Sequence, residues 1–499
     1  MHYTKNPIIE SPLNLNWYEL HELADKDFEL WIQDMKDEVI RIWDEQGIPP
    51  TNGKTTEQMK SDFRKMKDFN VIKFEKRDND GGLCIVNPGR LGSVVNQFFP
   101  TMMKTKINYT EKGDGKSIYD YLASQPGSSE SKRVLSTGRR NYQRDSFYDF
   151  SRCVKKKDRD CPSGIFAITG EQWIKLWNEK PNEGYDYWLH PIKEKKYTGW
   201  AGESEDMTID GEMIEEKKVD LDNLLEYNGN YIRIYKKENK LFPGIFKHFK
   251  NSWCQMAVNF PCLTAKWVTE KYLEPGKKSI LFDQSSGWGG RIAGSMLSNR
   301  NIHYVGTDPN PDHWVDSLKK TKYEILADFI NDEITSFFDE PNTYDIFRVG
   351  SEVIQYEDRF QQYKGKVDLA FTSPPYFIRE GYSEDENQSG KKFPKYNDWR
   401  DNFLSPTLKT TVEWLKPGGY ILWNIANPNF KNEYDLEGDS CRILKNLGMK
   451  QEPTIKMVLG SMPGGNRMGE DGKPKTKNFT KIGNKFVKFE PIFVFKKGK

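Results

Sequence analysis

Cysteine is scarce. There are six in 499 residues (Cys84, Cys153, Cys161, Cys254, Cys262 and Cys441), and no two are spaced as CxxC. That argues against a disulfide framework or a zinc ribbon, and the thiols read as reduced and cytoplasmic. Histidine is equally thin, with six and no HxxxH or HExxH pair, so no metal site is expected. No stretch nears the ~18 apolar residues of a membrane span. The start, MHYTKNPIIESPLN, lacks the apolar core of a secretion signal. Internal repeats and long low-complexity tracts are missing too. Net charge is nearly absent: 75 Lys and Arg against 73 Asp and Glu leave +2. This excludes a uniformly basic nucleic-acid coat but not a local basic patch.

What is present is aromatic. With 14 Trp, 24 Tyr and 29 Phe the chain is globular, despite a charged fraction of 30%. Its length suggests roughly three domains at about 150 residues each. Residues 17–46 carry apolar side chains at helical spacing until Gly47-Ile48-Pro49-Pro50 stops them, and a second helix is predicted over 55–68, capped by Thr55 or Thr56. Residues 70–110 mix short strand-like runs with glycine turns, and 111–245 are polar and Lys-rich. From 246 the texture changes. Apolar runs at 279–283, 302–307, 345–349, 367–372, 419–425 and 489–496 alternate with helical patterns at 291–299, 311–320 and 401–415. Such alternation predicts an α/β domain with a mostly parallel sheet. The expected organisation is a helical, α+β N-terminal region over 1–110, a polar, basic region over 111–245 and the α/β domain over 246–499.

Two motifs carry chemistry. In the first, the run Ile280-Leu281-Phe282-Asp283 enters Gln284-Ser285-Ser286-Gly287-Trp288-Gly289-Gly290. Glycines there let backbone approach a ligand. The next strand ends in Asp308, 18 residues after Gly290, where a carboxylate can accept from ribose hydroxyls. A dinucleotide fingerprint would want a third glycine at 292, and that residue is Ile292. In the second motif, the run Val367 to Thr372 ends in Ser373-Pro374-Pro375-Tyr376. Consecutive prolines fix φ and remove donors, leaving carbonyl oxygens on a rigid corner. A serine hydroxyl beside such a carbonyl makes two adjacent acceptors for the two protons of an exocyclic amine. The tyrosine ring offers a face on which a base can stack.

Together these motifs resemble those of the S-adenosylmethionine-dependent DNA amino-methyltransferases, DxxxGxG and (D/N/S)PP(Y/F), over about 250–499. The resemblance implies a Rossmann-like class I methyltransferase domain with a mostly parallel seven-stranded sheet. It implies S-adenosylmethionine as cofactor, held by Phe260, Asp283, Gly287, Gly289, Asp308, Ser351 and Glu352. It implies catalysis by Ser373, Pro374, Pro375 and Tyr376 on a flipped base in double-stranded DNA. The TSPPY form most often accompanies N4-cytosine, with N6-adenine as the alternative. It also leaves room for a cognate restriction enzyme in a restriction–modification pair. Lys416-Pro417-Gly418-Gly419 and the closing run from Phe489 match the family's order of segments.

The glycine loop and the tetrapeptide stand about 85 residues apart, with no space for a recognition domain between them. DNA readout is therefore expected in the N-terminal half. Residues 131–157 carry a net +7 over 27 residues, interleaved with aromatics, and Arg139, Arg140 and Arg144 are the candidate DNA contacts. The polar run Glu380 to Ser389 reads as a solvated loop, with a lid over the base as the alternative. The lone Pro261-Cys262 lies upstream of the glycine loop, which excludes a C5-cytosine mechanism. Asp186 with Glu194-Lys195-Lys196 faintly echoes a nuclease site. Methylation of RNA or a protein amide, or a noncatalytic DNA-binding role, are the remaining rivals.

Overall fold

A computed structural model describes residues 12–15, 23–50, 54–87, 91–110, 112–132, 246, 256–336, 340–428, 430, 434–459 and 478–499, together with the backbone of six short strands between 166 and 236. The chain forms two compact units. One comprises Met1–Thr51 with Tyr121–Cys254, the other Asn52–Asp120 with Gln255–Lys499. The boundary expected at 110 falls inside the second unit.

In the first unit, helix Asp25–Gln46 buries Phe28, Trp31, Ile32, Met35, Val39 and Trp43, the three-and-four spacing of one helical face. Gly47, at φ 72°, ends the helix in the left-handed conformation that glycine adopts most readily. On the same helix Lys36 is fully buried and pairs with Glu130 at 2.9 Å. Four strands of this unit form an antiparallel sheet in the order Phe166–Ala167, Tyr231–Lys236, Tyr185–His190, Lys217–Val219, and Thr208–Ile209 pairs separately with Glu212–Met213. Asp186 lies on one of its inner strands; Glu194, Lys195 and Lys196 lie outside the described residues, as do Arg139, Arg140 and Arg144.

The second unit is built on one sheet. Its strands are β1 (Glu75–Arg77), β2 (Leu83–Val86), β4 (Ser279–Asp283), β5 (Ile302–Thr307), β6 (Thr343–Phe347), β7 (Val367–Thr372), β9 (Leu415–Asn424), β10 (Lys450–Val458), β11 (Phe479–Ile482) and β12 (Lys485–Lys496). Short strands β3 (Lys106–Ile107) and β8 (Glu380–Gly381) pair with each other elsewhere. The sheet order is β1-β2-β10-β12-β9-β7-β4-β5-β6, with β11 on β12. Neighbours from β9 to β6 are parallel, and β12 runs antiparallel between β9 and β10. Seven of these strands, β6-β5-β4-β7-β9-β12-β10, form the mostly parallel, Rossmann-like sheet expected of this half of the chain. The segment 75–86 adds two more at its edge, through Cys84 opposite Lys456.

Side chains alternate across the sheet and build two cores. Leu281, Tyr304, Leu369, Phe371, Leu422 and Val494 face one core; Phe282, Val305, Ala370, Ile421, Trp423 and Phe495 face the other. Both faces are covered, so the strands read as unbroken apolar runs. Chain order reverses between β4 and β7, the position where ligands of open α/β sheets bind, beyond the strands' carboxyl ends.

Two expectations are corrected. The helix predicted over 311–320 is instead a short 3-10 turn, Pro311–His313, and a hairpin pairing Trp314–Val315 with Lys320–Thr321. The helix starts at Lys322, because Thr321 and Glu324 form a reciprocal capping box there. The run after the tetrapeptide is not a solvated loop at its start: Glu380–Gly381 is paired to Lys106–Ile107, and Asn108 N–H donates to the Arg379 carbonyl at 2.9 Å. No helix among the described residues is long and apolar enough to cross a membrane.

Candidate active site

The end of β4 is braced from within. Asp283 is fully buried and accepts from Arg291 Nε at 2.8 Å, Tyr304 Oη at 2.7 Å and Thr372 Oγ1 at 2.7 Å. Arg291 also donates to the Ser285 carbonyl and lies over the Phe260 ring, 5.6 Å from its centroid. The carboxylate is thus spent on the strand, the loop and the first turn of helix Gly290–Met296. Gly289 adopts φ 75°, and a side chain there would strike the Phe99 ring; one at Gly290 would strike the Phe260 carbonyl. These glycines serve close packing rather than approach of a ligand. Neither Asp283 nor Gly289 lines the cavity described below.

Asn259 ties the loop to its surroundings. Its Nδ2 donates to the Trp288 carbonyl at 2.7 Å and to Asn96 Oδ1 at 3.2 Å, while its Oδ1 accepts from Gly290 N–H at 3.2 Å. Gly287 N–H in turn donates to Asp308 Oδ2 at 3.0 Å. Asp308 also accepts from Asn310 N–H at 2.9 Å and Tyr323 Oη at 2.9 Å. Burial outweighs these hydrogen bonds and pushes its carboxyl up to about 6. Beside it, burial pushes His313 down to about 3, so its ring is neutral near pH 7; it packs edge-on to Phe99, Trp288 and Tyr323.

Beyond β6, Ser351 Oγ lies 2.9 Å from Thr407 Oγ1 and Glu352 pairs with Lys392 at 2.8 Å. Beyond β7 comes the tetrapeptide. Tyr376 Oη donates to Glu490 Oε1 at 2.6 Å and stands 3.4 Å from Ser373 Oγ. Phe377 follows at φ 56°, a left-handed conformation unusual for a bulky residue. Its ring is buried against Tyr396, Trp399 and Tyr434, which hold the turn in that conformation.

These segments enclose one cavity of about 1580 Å³. Phe260, Gly287, Asp308, Ser351 and Glu352 line it together with Ser373, Pro374, Pro375 and Tyr376. Single-ligand pockets are usually ~300–1,000 Å³, so this one has space for two ligands side by side. The lining fits S-adenosylmethionine. It has a desolvated carboxylate for ribose hydroxyls and acidic side chains suited to a cationic ligand. Glu490 and Arg291 were not among the residues expected at the site from the sequence. Their only local signal is a charged side chain within an apolar or glycine-rich run.

No curated protein matches the chain. Solved structures with similarity to it include three methyltransferases. A putative class I S-adenosylmethionine-dependent methyltransferase from Listeria monocytogenes is 13% identical, over 48% of this chain and 59% of that one, with a TM-score of 0.27. A TehB-like S-adenosylmethionine-dependent methyltransferase from Corynebacterium glutamicum is 15% identical, over 48% and 89%, with a TM-score of 0.24. The 1,6-didemethyltoxoflavin-N1-methyltransferase of Burkholderia thailandensis is 9% identical, over 48% and 78%, with a TM-score of 0.27. The family model of the N6/N4 DNA methylases matches residues 367–499, from the strand that carries the tetrapeptide to the end of the closing strand.

Proposed function

We propose that the protein transfers a methyl group to the exocyclic amine of a base flipped out of double-stranded DNA, with cytosine N4 as the target and adenine N6 as the alternative. The carrying observation is that Ser373-Pro374-Pro375-Tyr376 and the Asp308 wall open onto one cavity at the reversal point of the sheet. Bound there, S-adenosylmethionine supplies an electrophilic methyl on a sulfonium. The protein orients. Asp308 accepts from ribose hydroxyls, Gly287 and Phe260 shape the wall, and Ser351 and Glu352 border the adenine end. Asp283 and Gly289 keep the loop in shape from behind. Ser373 Oγ and the Pro374 carbonyl accept the amine protons, and Tyr376 presents its ring to the base. Holding the nucleophile in place removes much of the entropic part of the barrier. Extruding the base costs a few kcal/mol. Arg139, Arg140 and Arg144 are proposed to meet the phosphates.

Nucleoside mass spectrometry of DNA incubated with the protein and isotope-labelled S-adenosylmethionine tests this. Labelled N4-methylcytosine is expected. Labelled N6-methyladenine would select the alternative, and label in RNA or protein with none in DNA would overturn the reading.

The raised carboxyl of Asp308 gives a second expectation. If its ionised form binds the ribose, affinity for S-adenosylmethionine tightens with pH up to about 6 and then levels. At one unit below that point about a tenth of the protein is ionised, and binding is about tenfold weaker. Calorimetric titration from pH 5 to 8 measures it, and Asp308→Asn should flatten the profile. The linkage sign for the free protein is the reverse: a folded pKa above the unfolded value means this group's contribution to stability falls as pH rises from about 4 to about 6.

A further inference from the structure

The reading above leaves the end of a hydrogen-bond chain unused. Ser373 Oγ, which grips the amine, stands 3.4 Å from Tyr376 Oη, and Tyr376 Oη donates at 2.6 Å to Glu490 on β12. Glu490 lines the same cavity, so the chain ends at a carboxylate on the cavity wall. We infer that Glu490 is the terminal acceptor of the proton that the target amine must lose, reached through Ser373 and Tyr376; this rests on the amino-methylation reading.

The chemistry requires such an acceptor. The amine nitrogen spends its lone pair on the new N–C bond, while the pair of the broken S–C bond returns to sulfur. The nitrogen then carries a positive charge with both protons still attached, and one must leave. It passes to Ser373 Oγ as the serine proton moves to Tyr376 Oη and the tyrosine proton moves to the Glu490 carboxylate. Both hydroxyls give a proton as they gain one, so no tyrosinate or alkoxide forms. The base ends as neutral NH–CH₃ and Glu490 as a neutral acid.

Surroundings make Glu490 a better base than a surface glutamate. Burial raises its carboxyl above the ordinary range, and the like charge of Glu380 acts in the same direction. The facing groups are Tyr376 and Glu380 from the segment after β7, Asn424 on β9 and Lys488 on its own strand; Met457, opposite it on β10, carries no charge. Hydrogen bonds from Tyr376 and Asn424 and the charge of Lys488 offset part of the rise. Burial also holds the Tyr376 phenol far above its usual range, which suits a relay that never ionises.

The test compares full-length wild type, Glu490→Gln, Glu490→Asp and Tyr376→Phe. The single-turnover rate of Glu490→Gln is expected to fall by roughly 10²–10⁴-fold, the range of general-base catalysis. Melting temperature and affinities for S-adenosylmethionine and DNA should stay within about threefold or a few degrees. The wild-type rate should climb tenfold per pH unit at low pH and then level, and Glu490→Gln should lose that limb. Glu490→Asp, which keeps a carboxylate, should recover part of the rate. Independently of turnover, infrared titration of the cofactor-free protein should show, besides the bands of Asp308 and Glu380, a carboxylic acid band of Glu490 titrating above the ordinary glutamate range. That band should vanish in Glu490→Gln and shift in Tyr376→Phe. A Glu490→Gln rate within about threefold of wild type with an unchanged pH profile overturns the inference, as does a rate loss matched by lost binding. If wild type itself leaves DNA unmethylated, the functional reading fails, while the infrared titration still reports on the Tyr376–Glu490 pair.

Discussion

The Ser373→Ala, Tyr376→Ala double variant should lose methyl transfer by at least about 10³-fold while binding S-adenosylmethionine within about threefold of wild type. Ser373 is one of two acceptors aimed at the amine, and losing one pre-aligned polar contact at a reacting group costs about 10²–10³ in rate. The Tyr376 ring adds base stacking, about 1–3 kcal/mol per base. The cofactor side is spared because Asp308 and Gly287 hang on the ends of β4 and β5, and neither hydrogen-bonds to the tetrapeptide. The single variant Tyr376→Phe separates the terms, since it keeps the ring and removes only the hydroxyl that donates to Glu490. Radiolabel transfer to DNA under single turnover, with calorimetric cofactor binding alongside, measures both halves. Normal methylation by the double variant would sink the assignment of the tetrapeptide; loss of both functions together would show a collapsed site instead of a vacated one.

What could be read in advance follows from where each interaction is encoded. Strands β4, β5 and β7 announce themselves because both faces are buried and the runs stay apolar. The tetrapeptide and Asp308 are visible because each sits at the end of such a run. By contrast, β1 and β2 come from 75–86, a short stretch whose partner β10 lies hundreds of residues away, so no local pattern tells which sheet it joins. The predicted helix at 311–320 fails because the capping pair that starts a helix lies at Thr321 and Glu324, one residue beyond it. Asp283 and Gly289 stand out by their position in a motif. Their actual neighbours, Arg291, Tyr304 and Thr372 for the one and Phe99 for the other, come from four separate parts of the chain. An acidic residue's role depends on what has already satisfied it, and that is a tertiary fact. Glu490 is the converse case: an acid in an apolar closing strand, with nothing local to distinguish it from a surface residue until Tyr376 arrives beside it.

Arg291→Met should be the most damaging single change in the second unit. Methionine approximates the stem's bulk but removes the guanidinium, leaving the Asp283 carboxylate at 0% exposure with two hydroxyl donors and one long contact from Ser285 N–H. Breaking a buried pair from one side costs about 3–5 kcal/mol, because the remaining charge is uncompensated. At about 2.1 cal/mol/K of unfolding entropy per residue, each kcal/mol moves the midpoint of a unit this large by about 1.5 °C, so the melting temperature should drop by roughly 4–8 °C. Cofactor affinity should fall further than stability alone demands, since the Ser285 carbonyl loses its anchor and Ser285 lines the cavity. Adding Asp283→Asn to that background removes the stranded charge while keeping an acceptor for Thr372. The double variant should therefore melt higher than Arg291→Met, while cofactor binding stays poor. Calorimetric melting with and without S-adenosylmethionine reads both quantities. Unchanged binding in Arg291→Met would mean that the Asp283–Arg291 pair does not hold the glycine loop, and an added loss in the double variant would mean that Asp283 is stabilised by something other than Arg291.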